Sequence, residues 1–320
     1  MPAVSVVVPT FERPEYLRIA LDSALAQRFR DFEILVGDNS ETDHTERLLS
    51  IYDDPRIRYH RNRPSLGPQG NWLDLIERAQ ADLVATLHDD DFWDPQFLEA
   101  VVPTMIADSS LAMVFTDFWI VDEKGNRQVE RTNHESFRTG RLDLPSGKLR
   151  MGGDDMIRLV AATNAPQPAY AAVLRRSDVL SVEYPEDTWP LYDIWFSYQM
   201  VQRGRAFAYD RRRLTNYRHH GGSLTSAGFA AAEDSVFRRI LRDLATNEQL
   251  AGEVAEYWAG LRWARATQVM QQGGDRDWAQ RELREAAKAL GGKKGFAARA
   301  AGKSQVVWQG LRVAKIVRDQ

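Results

Sequence analysis

A chain of 320 residues with 43% hydrophobic content can bury a full core and suits one large domain plus an appendage. Its formal net charge of -3 argues against a general nucleic-acid binder, which needs a basic surface, so no nucleic-acid partner is expected. It has no cysteines, which excludes disulfides, thiolate zinc sites and a cysteine nucleophile, and fits a reducing cytoplasm.

The run Val4-Ser5-Val6-Val7-Val8 is far shorter than the ~20 residues of a membrane span and lacks the basic flank of a signal peptide, so it predicts a buried strand. Pro9 to Pro14 breaks it, and Leu17, Ala20, Leu21, Ala24 and Leu25 then fall at helical spacing within Glu15–Gln27. Phe32–Val36 predicts a second strand, followed by Gly37-Asp38-Asn39-Ser40 and a helix through Leu48, Leu49 and Tyr52. Ile57–Tyr59 predicts a third strand and Asp82–Leu87 a fourth; Leu111–Val121 and Tyr170–Leu174 add two more. Strands separated by helices of this length imply βαβ units and a mostly parallel sheet with helices on both faces, an α/β, Rossmann-like class.

Beyond about residue 222 strand signals stop and Ala-, Arg- and Glu-rich helical stretches follow, with Gly273-Gly274 and Gly291-Gly292 as breaks. A boundary is therefore expected near Ser223–Gly228, with an α-helical C-terminal region over 223–320. Its last segment alternates Lys and Arg with Val306, Val307, Trp308, Leu311, Val313 and Ile316. Such a basic amphipathic helix suits either packing and oligomerisation or peripheral contact with an anionic membrane face.

In open α/β sheets ligands sit outside the carboxyl ends of the strands, so the polar residues after each strand are the ones to read. They are Pro9-Thr10-Phe11-Glu12-Arg13, Gly37-Asp38-Asn39-Ser40 and His88-Asp89-Asp90-Asp91, all on one sheet edge. Three adjacent carboxylates behind a buried strand repel one another unless a cation is bound. Hard oxygen ligands select Mg²⁺ or Mn²⁺, which typically bridge a carboxylate to a phosphate. Capping of the next helix, which starts around Trp93-Asp94-Pro95, accounts for Asp94 but not for the other three.

The stretches SVVVPTFERPEYLRIALDSALAQRFRDFEILVGDNSETDHTERLL and NRPSLGPQGNWLDLIERAQADLVATLHDDDFWDP resemble the family 2 glycosyltransferases of the GT-A fold. The resemblance covers roughly residues 3–222. It implies a GT-A domain over 1–222, with a nucleotide-binding half at 1–110 and an acceptor-binding half at 111–222. It also implies a nucleoside-diphosphate sugar donor, a carbohydrate or glycoconjugate acceptor, and biosynthesis on the cytoplasmic side, with the inner membrane face as a peripheral option.

By that resemblance Pro9, Thr10, Phe11, Glu12 and Asp38 hold the donor's nucleoside, with Asp38 facing the pyrimidine N–H and Glu12 in reach of the ribose. An Asx turn is the other reading of Asp38. Gly67 and Asn71 lie in a stretch that borders the nucleotide in the family, and a turn with a helix start explains them equally well. Aligned on its surroundings, the family's Asp-x-Asp signature falls on 88 and 90, where this chain has His88 and Asp90. Asp90 is then the direct metal ligand, Asp89 faces the ribose or a metal-bound water, and Asp91 can replace the missing ligand. His220, in Tyr217-Arg218-His219-His220-Gly221-Gly222-Ser223, resembles the family's C-terminal R-x-H-x-x-S loop and can join the metal or the diphosphate. Arg218 beside it can neutralise phosphate charge or line the acceptor side.

The family's catalytic base corresponds to Asp193, in the first turn of a helix predicted from Pro190 onward; a carboxylate complementing the helix dipole is the alternative, and Asp187 the fallback base. Trp189 and Tyr192 can stack on a sugar or pack in the core, and residues 161–168 border the acceptor pocket. The implied reaction is an inverting, metal-assisted single displacement, with UDP as the default nucleotide and dTDP an alternative. A sugar nucleotidyltransferase would carry a glycine-rich basic loop where Pro9-Thr10-Phe11-Glu12 stands, and a non-catalytic sugar-nucleotide binder is the other class that His88 keeps open.

Overall fold

The computed structural model describes residues 1–166, 169–189, 191–220, 230–271 and 276–289. Strand β1 (Val4–Thr10) pairs in parallel with β2 (Phe32–Asp38), in register from Val4 opposite Phe32 to Thr10 opposite Asp38. Between them α1 (Pro14–Leu25) begins on a proline, whose fixed φ and missing N–H suit the first turn. It buries Leu17, Ala20, Leu21 and Ala24, a single face at helical spacing. After α2 (His44–Leu49) comes β3 (Ile57–Arg61), parallel to β2. Helix α3 (Gly67–Arg78) then leads to β4 (Leu83–Thr86), which pairs with the other side of β1.

The short β5 (Phe92–Trp93), α4 (Phe97–Ala107) and β6 (Leu111–Val121) open the second half. Helix α5 (Val129–Arg138), β7 (Gly147–Lys148) and α6 (Gly153–Ile157) follow, with a π-helical turn at Arg158–Ala162. Then come β8 (Ala172–Arg175), α7 (Arg176–Leu180), α8 (Tyr192–Gln202) and β9 (Ala206–Arg218). The strands form one sheet in the order β3-β2-β1-β4-β8-β6-β9-β5, with β7 added on β9. Strands β3, β2, β1, β4, β6 and β9 point one way, and β8, β5 and β7 the other. The expected mostly parallel α/β sheet is therefore present, with antiparallel β8 wedged into its middle.

Both faces are buried, which explains why the strands read as continuous apolar runs. Val4, Val6 and Val8 face α1 and α4, while Val7 and Leu35 face α3, α8 and the C-terminal helices. Strand β9 escapes sequence reading although it runs for 13 residues. Its centre carries Asp210, Arg211, Arg212 and Arg213, so no apolar alternation marks it; pairing with β6 and β5 makes it a strand. Helix α8 starts at Tyr192, two positions after the predicted Pro190, which lies outside the described residues.

Helices α9 (Ala230–Asp243), α10 (Glu248–Gln271) and α11 (Arg276–Ala289) supply the expected helical C-terminal region. Val236, Phe237, Ile240, Val254, Tyr257 and Trp258 join the same apolar cluster as Trp72, Tyr192 and Phe115. Trp258 Nε1 donates to the Ala161 carbonyl at 3.0 Å, and Arg158 pairs with Glu253 at 2.6 Å. The predicted boundary near Ser223–Gly228, both double-glycine breaks and the basic segment with its membrane or packing alternatives lie outside the described residues. Among those described, no helix is long and apolar enough to cross a membrane.

The end of β2 is locked to α3 by amide hydrogen bonds. Asn71 Nδ2 donates to the Gly37 carbonyl at 2.8 Å, and Asn62 Nδ2 donates to both Asn71 Oδ1 and Asn39 Oδ1 at 3.0 Å. A Cβ on Gly37 would stand 2.2 Å from Asn71 Oδ1 and 2.9 Å from Leu75 Cγ. Gly37→Ala is expected to lower stability by about 1–3 kcal/mol through overpacking, read as a reduced urea midpoint with an unchanged slope.

Candidate active site

The loop after β4 is held from four directions. Thr10 Oγ1 donates to Asp89 Oδ2 at 2.8 Å, and the Phe11 N–H reaches the same oxygen at 3.3 Å. Arg13 Nη1 bridges Asp90 Oδ2 at 2.8 Å and Asp89 Oδ1 at 3.4 Å. From the end of β9, the Arg218 N–H donates to Asp91 Oδ1 at 2.8 Å, and Arg218 Nε donates to the Asp90 carbonyl at 2.7 Å. His220 Nε2 lies 3.0 Å from Asp90 Oδ2, and His88 Nε2 lies 3.1 Å from the Tyr192 hydroxyl on α8.

Burial pushes the Asp89 carboxyl upward, and the neighbouring Asp90 charge adds to the shift. Burial also pushes Asp91 well above the usual carboxylate range, again with Asp90 adding to it. At Asp90 burial acts upward too, but the His220 hydrogen bond and the charges of His88 and Arg13 outweigh it, so its net shift is downward. Burial lowers His88, favouring a neutral imidazole. Asp91 Oδ2 is buried without a hydrogen-bond partner among the described residues, and ligand atoms of His88, Asp90 and Asp91 lie within 4.8 Å of one another. An orphaned buried carboxylate oxygen beside an imidazole and a second carboxylate fits a divalent cation. The substitution at 88 therefore leaves a usable donor set, because a neutral imidazole is itself a metal ligand.

Asp38 is fully buried at the end of β2, where Oδ1 accepts the Ser40 N–H at 2.8 Å and Oδ2 the Tyr59 hydroxyl at 2.9 Å. The Asx turn is thus present, and lone pairs remain on both oxygens. Glu12 adopts a left-handed φ of 53°, uncommon outside glycine. Its N–H bonds Ser40 Oγ, and its carboxylate accepts the N–H groups of Glu41 and Thr42 and the Thr42 hydroxyl. The Thr42 hydrogen bonds hold that carboxyl below its usual range. The side chain expected at the ribose instead ties the segment after β1 to the loop after β2. Pro9 lies opposite Gly37 in the sheet register, and Phe11 is 57% exposed at the mouth of this edge. Gly67, at φ 68°, starts α3, and its carbonyl accepts Asn39 Nδ2 at 2.9 Å.

On the other side, Asp193 is buried in the first turn of α8, where burial raises its carboxyl to about 6 and the Ile194 N–H partly offsets the rise. Asp187 lies elsewhere. It is half-exposed, bound by Arg239 and Ser235 of α9, and its carboxyl is lowered by those hydrogen bonds. Tyr192 is buried, stacked on Trp189 at 5.2 Å and packed on Trp72 at 4.5 Å, so it serves the core. Trp189 keeps partial exposure. Arg218 does not face these aromatics: it is buried, and its guanidinium is bonded to the carbonyls of Asp90 and Glu123, with Tyr16 and Phe92 against it. Residues 167–168 of the expected acceptor border lie outside the described residues.

Arg13, Tyr16 and Tyr59 are site residues that sequence reading missed. Arg13 sits in the segment flagged after β1, and its opposite charge to the acidic run was the available signal. Tyr59 gave none, because only strand pairing brings β3 beside Asp38.

A glycosyl transferase family 2 model matches residues 5–177, more than half of the chain. The chain belongs to glycosyl transferase family 2. It is therefore a glycosyltransferase, and the edge of β1, β2 and β4 is where its enzyme site is sought. It is 34% identical over 135 residues to the GalNAc(5)-diNAcBac-PP-undecaprenol beta-1,3-glucosyltransferase of Campylobacter jejuni, an alignment covering 41% of this chain and 42% of that one. An uncharacterised glycosyltransferase of Rickettsia typhi is 22% identical over 254 residues, covering 78% of this chain and 74% of that one. The fold is similar to S. aureus TarS 1-349 in complex with UDP-GlcNAc, with a TM-score of 0.64, 14% identity, and coverage of 100% of this chain and 91% of that one.

Replacing the orphaned carboxylate tests the cation-binding geometry. Asp91→Asn is expected to melt at or above wild type in EDTA, since a buried carboxyl with one unsatisfied oxygen is replaced by a neutral amide that can still accept the Arg218 N–H. The same variant should lose the rise in melting temperature that Mn²⁺ with UDP produces in wild type. Retention of the full rise would remove Asp91 from the ligand set.

Proposed function

We propose that the chain moves a sugar from a UDP-sugar to an acceptor hydroxyl with inversion at the anomeric carbon. The observation that carries this reading is the 3.1 Å contact between His88 and Tyr192. It joins the acidic loop after β4 to the helix that presents Asp193, 104 positions later in the chain. In this reading a candidate donor edge and a candidate base share one site. The likeness in fold to TarS in complex with UDP-GlcNAc supports a UDP-sugar donor over a dTDP-sugar.

In this reading Asp38 accepts the pyrimidine N–H through its remaining lone pairs, and the Asn39, Asn62 and Asn71 lattice keeps the end of β2 rigid beneath it. Glu12 closes the rim by holding residues 41–42, and Phe11 covers the mouth. Asp89, fixed by Thr10, lies next to the nucleotide segment and is placed to meet the ribose or a bound water. His88, Asp90 and Asp91 would hold a Mn²⁺ or Mg²⁺ ion, with His220 in contact with Asp90. When bound, the ion supplies charge stabilisation for the departing diphosphate. Arg13 places a fixed positive charge at the same carboxylates.

Asp193 takes the proton from the acceptor hydroxyl as that oxygen attacks the anomeric carbon opposite the diphosphate. One base suffices, because a single displacement forms no covalent intermediate. Trp189, the partly exposed member of the aromatic group, offers an apolar face to the acceptor sugar.

Titration of nucleoside diphosphates with and without Mn²⁺, followed by hydrolysis of the matching sugar nucleotides, tests the donor assignment. Stabilisation by dTDP rather than UDP would overturn the nucleotide. For the base, Asp193→Asn is expected to cut turnover by ~10²–10⁴-fold while leaving UDP affinity within about twofold, since the side chain makes no donor contact in this reading. The wild-type carboxyl, raised to about 6, must be ionised to accept a proton. Log kcat/KM should therefore rise with pH up to about 6 and level off above it. A flat profile from pH 5 to 8 would remove Asp193 from the base role.

A further inference from the structure

Outside the donor edge, a pocket of about 440 Å³ opens between β6, β9 and the turn after α5, lined by Asp117, Trp119, Arg141, Arg211, Arg212 and Arg213 among others. Its arginines are concentrated by an irregularity in the sheet. Asp210 pairs with Thr116 and Arg213 with Asp117, so Arg211 and Arg212 have no partner opposite on β6. A bulge of this kind bends the strand and re-aims its side chains.

The charges do not cancel. Asp117 accepts Arg141 Nε at 2.9 Å and Arg213 Nε at 3.0 Å, so one carboxylate faces two guanidinium groups. Arg212 is matched by Asp210 at 2.6 Å. Among the described residues, Arg211 hydrogen-bonds a carbonyl, that of Leu144, at 3.4 Å, and no carboxylate. Three positive charges (Arg141, Arg211, Arg213) against one negative (Asp117) leave an excess of two. Arg141 is 1% exposed, and its Nη2 is buried with no hydrogen-bond partner among the described residues. A buried guanidinium N–H without an acceptor is unfavourable, and an oxyanion bound against Arg141 would supply one. Arg213 is further fixed by Asn133 and by the Trp119 ring, whose centroid lies 4.6 Å away.

We infer that this pocket binds a dianionic phosphate group. Guanidinium forks match the oxygens of phosphate, and two excess charges fit a dianion better than a carboxylate. The site lies on β6 and β9 and does not depend on the donor assignment.

Calorimetric titration of the full chain with inorganic phosphate, at constant ionic strength balanced with chloride and repeated with excess UDP, tests it. Saturable binding that survives UDP, with acetate giving no more heat than chloride, is expected. Arg211→Gln should weaken phosphate binding roughly tenfold, the loss of one charge-assisted hydrogen bond, and Arg211→Lys should restore part of it. Arg28→Gln, which removes an exposed charge paired with Glu99 elsewhere, should bind as wild type. Circular dichroism of Arg211→Gln should match wild type, since Arg211 is exposed and makes no buried ion pair. Tighter binding of glycerol 3-phosphate than of inorganic phosphate supports the site and assigns it to a phosphomonoester ligand; equal binding supports it and assigns free phosphate. Absence of saturable binding, displacement by UDP, or equal weakening in Arg211→Gln and Arg28→Gln would overturn the inference.

Discussion

Three carboxylates and an imidazole are crowded into the buried turn after β4, and each is restrained by a different part of the chain. Asp89 is held by the segment after β1, Asp90 by Arg13 and His220, Asp91 by the backbone of β9, and His88 meets α8. Adjacent buried charges of one sign are unfavourable unless each finds a partner. That demand accounts for several otherwise odd features: the buried Arg218 bonded to carbonyls, the arginine at the head of α1, and the end of β9 drawn in beside β6. The partners come from both halves of the sheet, so satisfying the turn also brings the halves together. Among the described residues, Asp91 Oδ2 has no hydrogen-bond partner.

The donor edge shows a different solution to the same problem. Around Asp38 the polar groups are neutral amides and hydroxyls rather than counter-charges: Asn39, Asn62, Asn71, Ser40 and Tyr59. A carboxylate held this way keeps spare lone pairs while its position is fixed. Gly37 is required because the amide of Asn71 occupies the space a side chain would need. Glu12 tolerates a left-handed backbone because three hydrogen bonds from residues 41 and 42 fix its carboxylate. Rigidity at this edge comes from hydrogen bonds among neutral groups, whereas at the acidic turn the guanidinium groups of Arg13 and Arg218 take part.

The C-terminal helices contribute to the second half rather than standing apart from it. Tyr257 and Trp258 donate to the carbonyls of Thr163 and Ala161 around the π-helical turn, and their rings share the core with Tyr192 and Phe115. The turn preceding α8 is likewise pinned to α9 by Asp187 and Arg239. The helix that carries Asp193 is thus supported by residues distant in sequence, and its rigidity depends on packing that no local pattern encodes.

The sequence by itself determined the elements with strong periodicity and the sheet edge on which the ligand-facing residues lie. Apolar runs such as Val4–Val8 and Phe32–Val36 can only be buried strands, and short helices between them force parallel neighbours. It also determined the family, through ordered motifs at Pro9–Glu12, Asp38 and His88–Asp91, and the place of Asp193 in a first helical turn. Only the tertiary structure decided the partners. Arg13 between two aspartates, Tyr59 on Asp38, and His88 on Tyr192 are contacts across many residues, set by strand order and register. It also decided that β9 is a strand, because a run of charges through Asp210–Arg213 conceals it and only pairing with β6 and β5 supplies its backbone hydrogen bonds. Glu12 and Arg218 were legible as candidate site residues but not as structural ties, since residue type and position are local properties and the acceptor that each side chain meets is not.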